Sequence, residues 1–254
     1  MRNDHFSRRA ADYAAFRPTY PPELFAWLAR LAPARRAAWD CATGSGQAAI
    51  GLADHFAHVE ATDASASQIA HGRPHPRVSY RQAPAEASGL ADDSVQLVAV
   101  AQALHWLDVD AFYVEAERVL VPGGVLATWS YGSASLDDPA LSALFATFEH
   151  ETMGPWWPPE RRHILEAYRT IPFPFREVAP PAVTLRRDWT LDELVGYVSS
   201  WSAVDRYLRE SGDDPVSELR ARLATRWGDP ARRRAVRWPL ALRVGLTGER
   251  GPRG

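Results

Sequence analysis

A short stretch near the start of the chain combines an acid with a glycine-containing loop. Residues 37–50 read AAWDCATGSGQAAI, so an apolar run ends at Asp40 and a loop of small residues follows it. Because Gly44 and Gly46 lack a Cβ atom, the backbone there can take positive φ and a ligand can lie against it. From Gln47 onward the residues resemble a helix start, whose N–H groups would point at the same place. The stretch therefore predicts a nucleoside site at the carboxyl end of a first strand.

Two acids bear on which nucleoside binds. A carboxylate at Asp40 would repel the anionic pyrophosphate of a dinucleotide, and it would suit a ligand with a cationic end. Asp63 ends the next apolar segment, at close to the ~20-residue spacing at which an acid meets ribose hydroxyls. The pair Gly44-x-Gly46, with Ala49 in the third place, also satisfies the dinucleotide fingerprint. A nicotinamide-dependent oxidoreductase of Rossmann type is therefore an alternative.

The elements that must position these residues alternate along the chain. Between residues 37 and 130, segments with strand character are separated by segments with helix character. The run from Val95 to Val100 is continuously apolar, as is typical of a parallel strand buried on both faces. The alternation predicts an α/β fold with a doubly wound, parallel sheet and right-handed crossovers. Asp40, Asp63 and the glycine loop then fall at carboxyl ends of strands, where such sheets bind ligands.

Two further loops follow the third and fourth predicted strands. Ala83-Pro84-Ala85-Glu86 follows the strand at 78–82, and Gln102-Ala103-Leu104-His105-Trp106 follows the strand at 94–101. His105 could be a general base for a hydroxyl acceptor, since imidazole titrates near neutral pH. The alternative is that His105 only holds its loop in place.

These residues resemble the class I S-adenosylmethionine-dependent methyltransferases with a type 11 domain. The family's first motif is written D-x-G-x-G-x-G, and residues 40–46 read DCATGSG, with Ala42 in place of the first glycine. Residues 13–21, YAAFRPTYP, resemble the Y-x-x-x-R-P-x-Y-P segment of a subgroup related to trans-aconitate methyltransferases. Residues 102–106, QALHW, resemble the family's fourth motif.

The resemblance implies S-adenosylmethionine as cofactor and a small molecule as methyl acceptor, with O-methylation of a carboxylate or hydroxyl expected first. A non-catalytic S-adenosylmethionine-binding protein is the other alternative. The implied fold is a Rossmann-like, mostly parallel seven-stranded sheet with an antiparallel last strand and an inserted helical cap. His105 is the catalytic candidate. The residues implied at the cofactor are Tyr13, Asp40, Ala42, Gly44, Gly46, Asp63, Ala64, Ala85, Glu86, Gln102 and Trp106.

Residues 131–247 lose the strand–helix alternation. Helical segments surround two strand candidates, Val183–Trp189 and Val236–Gly245, and would form the cap over the sheet's carboxyl edge. We therefore expect the chain to divide into four parts: a lid at 1–36, a cofactor core at 37–130, the cap and last two strands at 131–247, and a tail at 248–254.

Aromatic residues in this second part are the clue to the acceptor. Trp156, Trp157 and Trp201 could line an aromatic, water-poor acceptor pocket, although tryptophans are also frequent in cores. Arg161 could hold an acceptor carboxylate by paired hydrogen bonds, or it could lie on a solvated helix face. Both interpretations stay open at the level of sequence.

Composition excludes several classes of function. The net charge is −2 over 254 residues, so no basic field predicts a nucleic-acid or membrane partner. Cys41 is the single cysteine, which fits a reducing compartment, and with no apolar signal core near Met1 we expect a cytoplasmic protein. The histidines lack metal-ligand spacing, so no metal is expected. The chain has no lysine, which excludes a Walker loop. The acceptor and the oligomeric state are left undetermined.

Overall fold

The computed structural model describes residues 18–248, so Tyr13, with residues 1–17 of the expected lid and residues 249–254 of the expected tail, lies outside the described residues. The described chain divides into two compact units. The larger unit contains Tyr20–Tyr131, Arg162–Val183 and residues 240–248, and the smaller unit contains residues 18–19, Gly132–Arg161 and Thr184–Pro239.

The first half of the described chain alternates strands with helices, as its hydrophobic pattern predicts. Its elements are α1 (Pro22–Leu31), β1 (Ala37–Cys41), α2 (Gln47–Ala53), β2 (His58–Asp63), α3 (Ala66–Ala70), β3 (Val78–Gln82), β4 (Val95–Ala101), a 3-10 turn (Leu104–Trp106), α4 (Val109–Val119) and β5 (Leu120–Tyr131). The second half is mostly helical. Its elements are β6 (Ser135–Leu136), α5 (Pro139–Thr147), a π-helical turn (Phe148–Thr152), a 3-10 turn (Gly154–Trp156), α6 (Arg161–Leu165), β7 (Arg176–Val178), β8 (Thr184–Trp189), α7 (Leu191–Ser199), α8 (Ser202–Ser211), α9 (Pro215–Trp227) and β9 (Arg234–Leu246).

The sheet of the larger unit has the order β3-β2-β1-β4-β5-β9, with β7 on the far side of β9. Strands β1 to β5 are parallel, whereas β9 runs antiparallel to β5. Strand β4 is central, and its first six residues, from Val95 to Val100, are buried, as expected for a strand covered on both faces. This arrangement confirms the α/β, mostly parallel sheet with an antiparallel last strand.

Helices cover the sheet of the larger unit on both faces. On one face, Leu24 and Leu28 of α1 and Leu52 of α2 are fully buried against small strand residues. On the other face, Phe112 and Val119 of α4 are fully buried. Burial of each large apolar side chain contributes about 1.5–3 kcal/mol to folding. The two covered faces leave the strand ends as the part of the sheet at which loops can form a site.

The last strand serves both units because it is 13 residues long. Its residues 240–246 pair with β5, and residues 244–246 also pair with β7, in the larger unit. Its residues 234–239 pair with β8 in the smaller unit. The strand candidate at 183–189 pairs antiparallel with the last strand, but along residues 234–239, which belong to the smaller unit. The short β7, which carries little periodicity of its own, takes the place beside β9 in the larger sheet.

The smaller unit is built mainly from α5, α7, α8 and α9. Helix α7 begins with a capping box, in which the Thr190 side chain accepts from the Glu193 backbone and the Glu193 side chain accepts from the Thr190 backbone. Helices α7 and α8 do not join into one helix, because the chain is interrupted at Trp201, whose backbone is extended and whose side chain is buried against Phe145. Burial of that indole outweighs helix continuity. Within residues 18–248, no helix is long and apolar enough to cross a membrane.

Candidate functional site

The strand register brings the predicted site residues to one edge of the larger unit's sheet. Cys41 at the end of β1 pairs with Thr62 of β2 and Val100 of β4. Asp63 at the end of β2 pairs with Gln82 of β3. Since these strands are parallel, the loops that follow them all leave the sheet at its carboxyl edge. The candidate cofactor residues of the described chain therefore come from neighbouring loops.

The loop after β1 has alternating left-handed residues. The φ angles are 54° at Ala42, 57° at Gly44 and 85° at Gly46. A left-handed alanine costs about 1–2 kcal/mol that glycine would not. Ala42, at the position of the family motif's first glycine, thus has a left-handed backbone at some expense in stability.

The two glycines of the loop have different reasons to be glycine. A Cβ atom on Gly46 would lie 2.0 Å from Tyr80 Oη, so Gly46 makes room for a side chain of β3. A Cβ atom on Gly44 would have its nearest neighbour at 3.9 Å, Gln68 Oε1. A ligand was expected to lie against both glycines. The structure has open space beside Gly44 but not beside Gly46. At Gly46 the close approach is made by the protein itself.

Asp40 is fully buried at the base of this loop. Thr43 Oγ1 donates to Asp40 Oδ2 over 2.5 Å, while Asp40 Oδ1 has no hydrogen-bond partner of good geometry in the described chain. Burial raises the pKa of the Asp40 carboxyl to about 7, and the hydrogen bonds from Thr43 and the nearby Ala49 backbone oppose that shift. A cationic or N–H donor group of a ligand would satisfy Oδ1 and favour the ionised form.

Gln47, the first residue of α2, carries a second unsatisfied group. Its Nε2 atom is buried and has no hydrogen-bond partner in the described chain. Buried polar atoms are nearly always paired in proteins, so an unpaired donor and an unpaired acceptor on one loop point to a polar ligand. The acceptor at Asp40 and the donor at Gln47 suit the ammonium and carboxylate of an amino acid. Sequence analysis did not single out Gln47, because no motif spacing distinguishes it from an ordinary helix residue.

Asp63 joins two of the loops. Its Oδ2 accepts from the Gly44 backbone N–H over 2.9 Å, and its Oδ1 accepts from the Ser65 N–H over 2.8 Å. Each carboxylate oxygen can accept a further hydrogen bond, so Asp63 keeps acceptor capacity for ribose hydroxyls. Ala64, next to Asp63, is exposed, and its carbonyl accepts from Gln82 Nε2 over 3.0 Å.

The loop after β3 lies beside the loop after β4. Ala85 is buried, and Glu86 Oε1 accepts from the Asp108 backbone N–H over 3.3 Å. Glu86 is thus partly engaged in joining these two loops. Its predicted contact with the adenine amine, like the ribose contact of Asp63, stays a prediction.

Gln102 uses its side chain within the protein. Its φ of 57° is left-handed, and its backbone N–H donates to Trp129 O over 2.8 Å. Its amide makes a paired contact with the Tyr131 backbone, in which Oε1 accepts from N at 2.7 Å and Nε2 donates to O at 3.0 Å. These bonds hold the ends of β4 and β5 together. A cofactor contact from Gln102 would therefore come from its backbone.

His105 lies in the 3-10 turn that follows Gln102. Its Nδ1 atom is 2.9 Å from Tyr168 Oη, and Tyr168 is fully buried. The ring centroid of Trp106 lies 4.7 Å from that of His105, and the Trp106 side chain is 58% exposed. Tyr168 follows α6 and lies far from His105 along the chain, so sequence spacing could not reveal the pair. Among the described residues, no group of three or more His, Cys, Asp or Glu could hold a metal ion.

The four predicted acceptor-binding residues lie together in the smaller unit. The rings of Trp157 and Trp201 are 5.2 Å apart, and Trp156 packs edge-on against Tyr207. The Arg161 guanidinium lies 3.6 Å above the Trp157 ring and forms an ion pair with the buried Glu149. Burial raises the pKa of Glu149, and the Arg161 charge opposes this. Arg161 is thus held by its own unit and is not on a solvated face. Nothing in the local sequence pattern marks Glu149 as its partner.

Comparisons with known proteins agree with this geometry. A family model described as a methyltransferase domain matches residues 39–128. A provisionally assigned methyltransferase from Dictyostelium discoideum is 32% identical over 224 residues, which cover 87% of this chain and 85% of that protein. A provisionally assigned S-adenosylmethionine-dependent methyltransferase from Saccharomyces cerevisiae is 24% identical over 241 residues, covering 81% and 83%. The solved structure of a provisionally assigned type II methyltransferase from Anaeromyxobacter dehalogenans is 44% identical, with a TM-score of 0.88, and the match covers 93% of this chain and 100% of that one.

Proposed function

The chain belongs to the class I S-adenosylmethionine-dependent methyltransferases, and from this premise we propose that it methylates an oxygen of a small molecule, either a carboxylate or a hydroxyl. S-Adenosylmethionine supplies a methyl group already activated by its sulfonium. The protein therefore mainly has to bind and orient the donor and the acceptor and to exclude water from them, because the donor needs little further activation. The family excludes neither oxygen class, and the choice between them depends on residues near the acceptor.

The observation that carries the proposal is the placement of His105 directly after β4, beside the cofactor loops and held by Tyr168. A carboxylate acceptor is already ionised near neutral pH and needs no base. A hydroxyl acceptor needs at most one proton removed. A single imidazole at this loop is compatible with either class. The resemblance of residues 13–21 to a segment of a subgroup related to trans-aconitate methyltransferases favours a carboxylate.

The roles we propose for the cofactor residues follow from their free hydrogen-bonding capacity. Asp40 Oδ1 and Gln47 Nε2 are buried without a partner in the described chain, and we assign them to the ammonium and carboxylate of the methionyl end. Asp63 is assigned to the ribose, and the Ala85–Glu86 segment to the adenine. Gly44 gives the backbone its closest approach to the ligand, because the space beside it is open.

A methyl-transfer screen tests the proposed chemistry. Small carboxylic acids, the corresponding alcohols and phenols, and the corresponding amines would each be incubated with enzyme and S-adenosylmethionine bearing a labelled methyl group. We expect label in base-labile esters or in ethers. Label only in amines, or in no product across the screen, would contradict O-methylation, and the second result would favour a non-catalytic role.

Calorimetric titration with S-adenosylhomocysteine tests the cofactor assignments separately. Asp63→Ala should weaken binding more than tenfold, because two loops and the ribose would lose a shared acceptor. Asp54→Ala is the matched control, since Asp54 is an exposed acid at the end of α2. Equal affinities for the two variants would reject the ribose assignment. Titration with NADH should give no binding.

A further inference from the structure

His105 and Tyr168 form a hydrogen-bonded pair whose proton arrangement determines what His105 can do. The Tyr168 hydroxyl lies 2.9 Å from His105 Nδ1. If the hydroxyl donates, neutral His105 carries its proton on Nε2 and is a donor there. If Nδ1–H donates instead, Nε2 carries a lone pair and can accept a proton. The two tautomers therefore correspond to two different roles for the same residue.

The position of Tyr168 is set by the protein and does not depend on His105 alone. Ala167 and Tyr168 both have left-handed backbones, with φ of 55° and 58°. Arg243 holds this turn, because its Nη1 donates to the carbonyls of Tyr168 at 2.8 Å and of Ile171 at 2.6 Å. A bulky residue rarely adopts such a φ unless its surroundings hold it there. The fold thus brings the Tyr168 ring to the His105 turn.

The hydrogen-bonding capacity around the Tyr168 hydroxyl decides the direction of the bond. The backbone N–H groups of Leu104 and His105 are the first of the 3-10 turn, so they lack partners within it, and they face the Tyr168 oxygen. An oxygen that receives these amides has to place its own proton elsewhere. Ser130 Oγ is the other polar side-chain group at the Tyr168 oxygen, and like the two amides it opposes the rise of the Tyr168 pKa, as a hydrogen-bond donor would. His105 Nδ1 is the acceptor at hydrogen-bond distance.

We propose that Tyr168 donates its proton to His105 Nδ1 and so holds neutral His105 as the Nε2–H tautomer, which makes His105 a hydrogen-bond donor to the methyl acceptor and not a general base. Tyr168 is then a positioning residue. Burial raises the pKa of the Tyr168 hydroxyl well above its usual range, so the phenol keeps the proton that it donates. A phenol left without an acceptor in this buried site would be unfavourable, which opposes the other tautomer.

The proposal narrows the acceptor class, and in this respect it rests on the proposed function. An Nε2–H group can bind an oxygen but cannot remove a proton from it. A hydroxyl acceptor would lack its base, whereas a carboxylate is already ionised and can accept the hydrogen bond on the oxygen that is not methylated. Carboxylates are therefore the acceptor class that His105 fits.

Nitrogen-15 NMR of the imidazole tests the tautomer without any acceptor or cofactor. We expect the long-range nitrogen–proton correlations of His105, assigned by their loss in His105→Gln, to show the Nε2–H pattern. Tyr168→Phe should convert this pattern to a mixture of tautomers. The matched control is Tyr113→Phe, because Tyr113 is a buried tyrosine of the same unit whose hydroxyl has no partner in the described chain. An Nδ1–H or doubly protonated pattern near neutral pH, or no change in Tyr168→Phe, would overturn the proposal.

Turnover of an acceptor found in the screen gives the second test. Glutamine can place an N–H donor near the position of His105 Nε2 but cannot act as a base at neutral pH. His105→Gln should therefore keep at least a tenth of the wild-type activity. His105→Ala should be more than tenfold less active than His105→Gln. Equal loss in both variants would indicate a base and refute the donor role. If no acceptor is found, the proposed function fails while the NMR result still decides the tautomer.

Discussion

Replacing Asp40 by asparagine should raise the free energy of unfolding at neutral and alkaline pH. Asp40 is fully buried, and burial raises the pKa of its carboxyl from 3.8 to about 7. Since one pKa unit corresponds to about 1.4 kcal/mol, ionised Asp40 lowers the stability of the folded state by on the order of 4 kcal/mol above pH 7. Asparagine keeps a carbonyl oxygen for the Thr43 hydroxyl and carries no charge.

The sign of the pH dependence follows from proton binding in the folded and unfolded states. Between about pH 4 and about pH 7, the folded protein holds a proton on Asp40 that the unfolded chain has released. The contribution of Asp40 to the free energy of unfolding therefore falls as the pH rises through this window, and it is constant above it. The difference between Asp40→Asn and the wild type should be small at about pH 4 and largest at about pH 8.

Urea unfolding curves at a series of pH values measure this difference. Asp54→Asn is the control, because Asp54 is an exposed acid at the end of α2. Parallel stability profiles for the wild type and Asp40→Asn would refute the assignment of a raised pKa to Asp40. The same variant should bind S-adenosylhomocysteine more weakly, and calorimetry in two buffers should show proton release near pH 7 for the wild type alone. A variant that is more stable but binds the cofactor product more weakly is the pattern expected when a destabilising residue is part of a binding site.

Three further substitutions test the geometry of the strand-end loops. Ala42→Gly should raise the free energy of unfolding by about 1 kcal/mol in urea titrations, because it relieves a left-handed alanine; a loss of stability would contradict that strain. Gly46→Ala should lower stability by about 2 kcal/mol or more, since its Cβ would meet Tyr80, and wild-type stability would exclude that contact. Gln102→Ala should lower stability by about 2 kcal/mol, because both Tyr131 backbone groups lose their partner, and increased hydrogen exchange at the end of β5 should accompany it.

The cofactor half of this protein is largely readable from its sequence. The run at β4, the acid at Asp40 and the acid at Asp63 each follow from local pattern, because parallel strands need continuous apolar residues and place polar residues at their ends. The α/β sheet was predicted on that basis, whereas S-adenosylmethionine as cofactor and methyltransferase activity were predicted from the resemblance of residues 40–46 and 102–106 to the family's motifs. Residue-level contacts with the cofactor stay predictions that the titrations above address.

What the sequence did not indicate are contacts between distant segments. Tyr80 explains Gly46, Tyr131 engages the Gln102 amide, and Glu149 holds Arg161, but none of these partners lies at a recognisable spacing. The same holds for the division of β9 between two units, because a long strand shows its pattern but not its partners.

The glycine-containing loop shows which features follow from local sequence and which depend on tertiary structure. Local sequence predicted a loop of small residues after β1 that can take positive φ, since Gly44 and Gly46 lack the Cβ atom that disfavours this backbone. Only the tertiary structure decided that Gly46 faces Tyr80 while Gly44 faces open space, because that depends on which side chain of a neighbouring strand reaches the loop. In the same way, QALHW marked His105 as a candidate, but its proton is governed by Tyr168, which the fold brings from beyond α6.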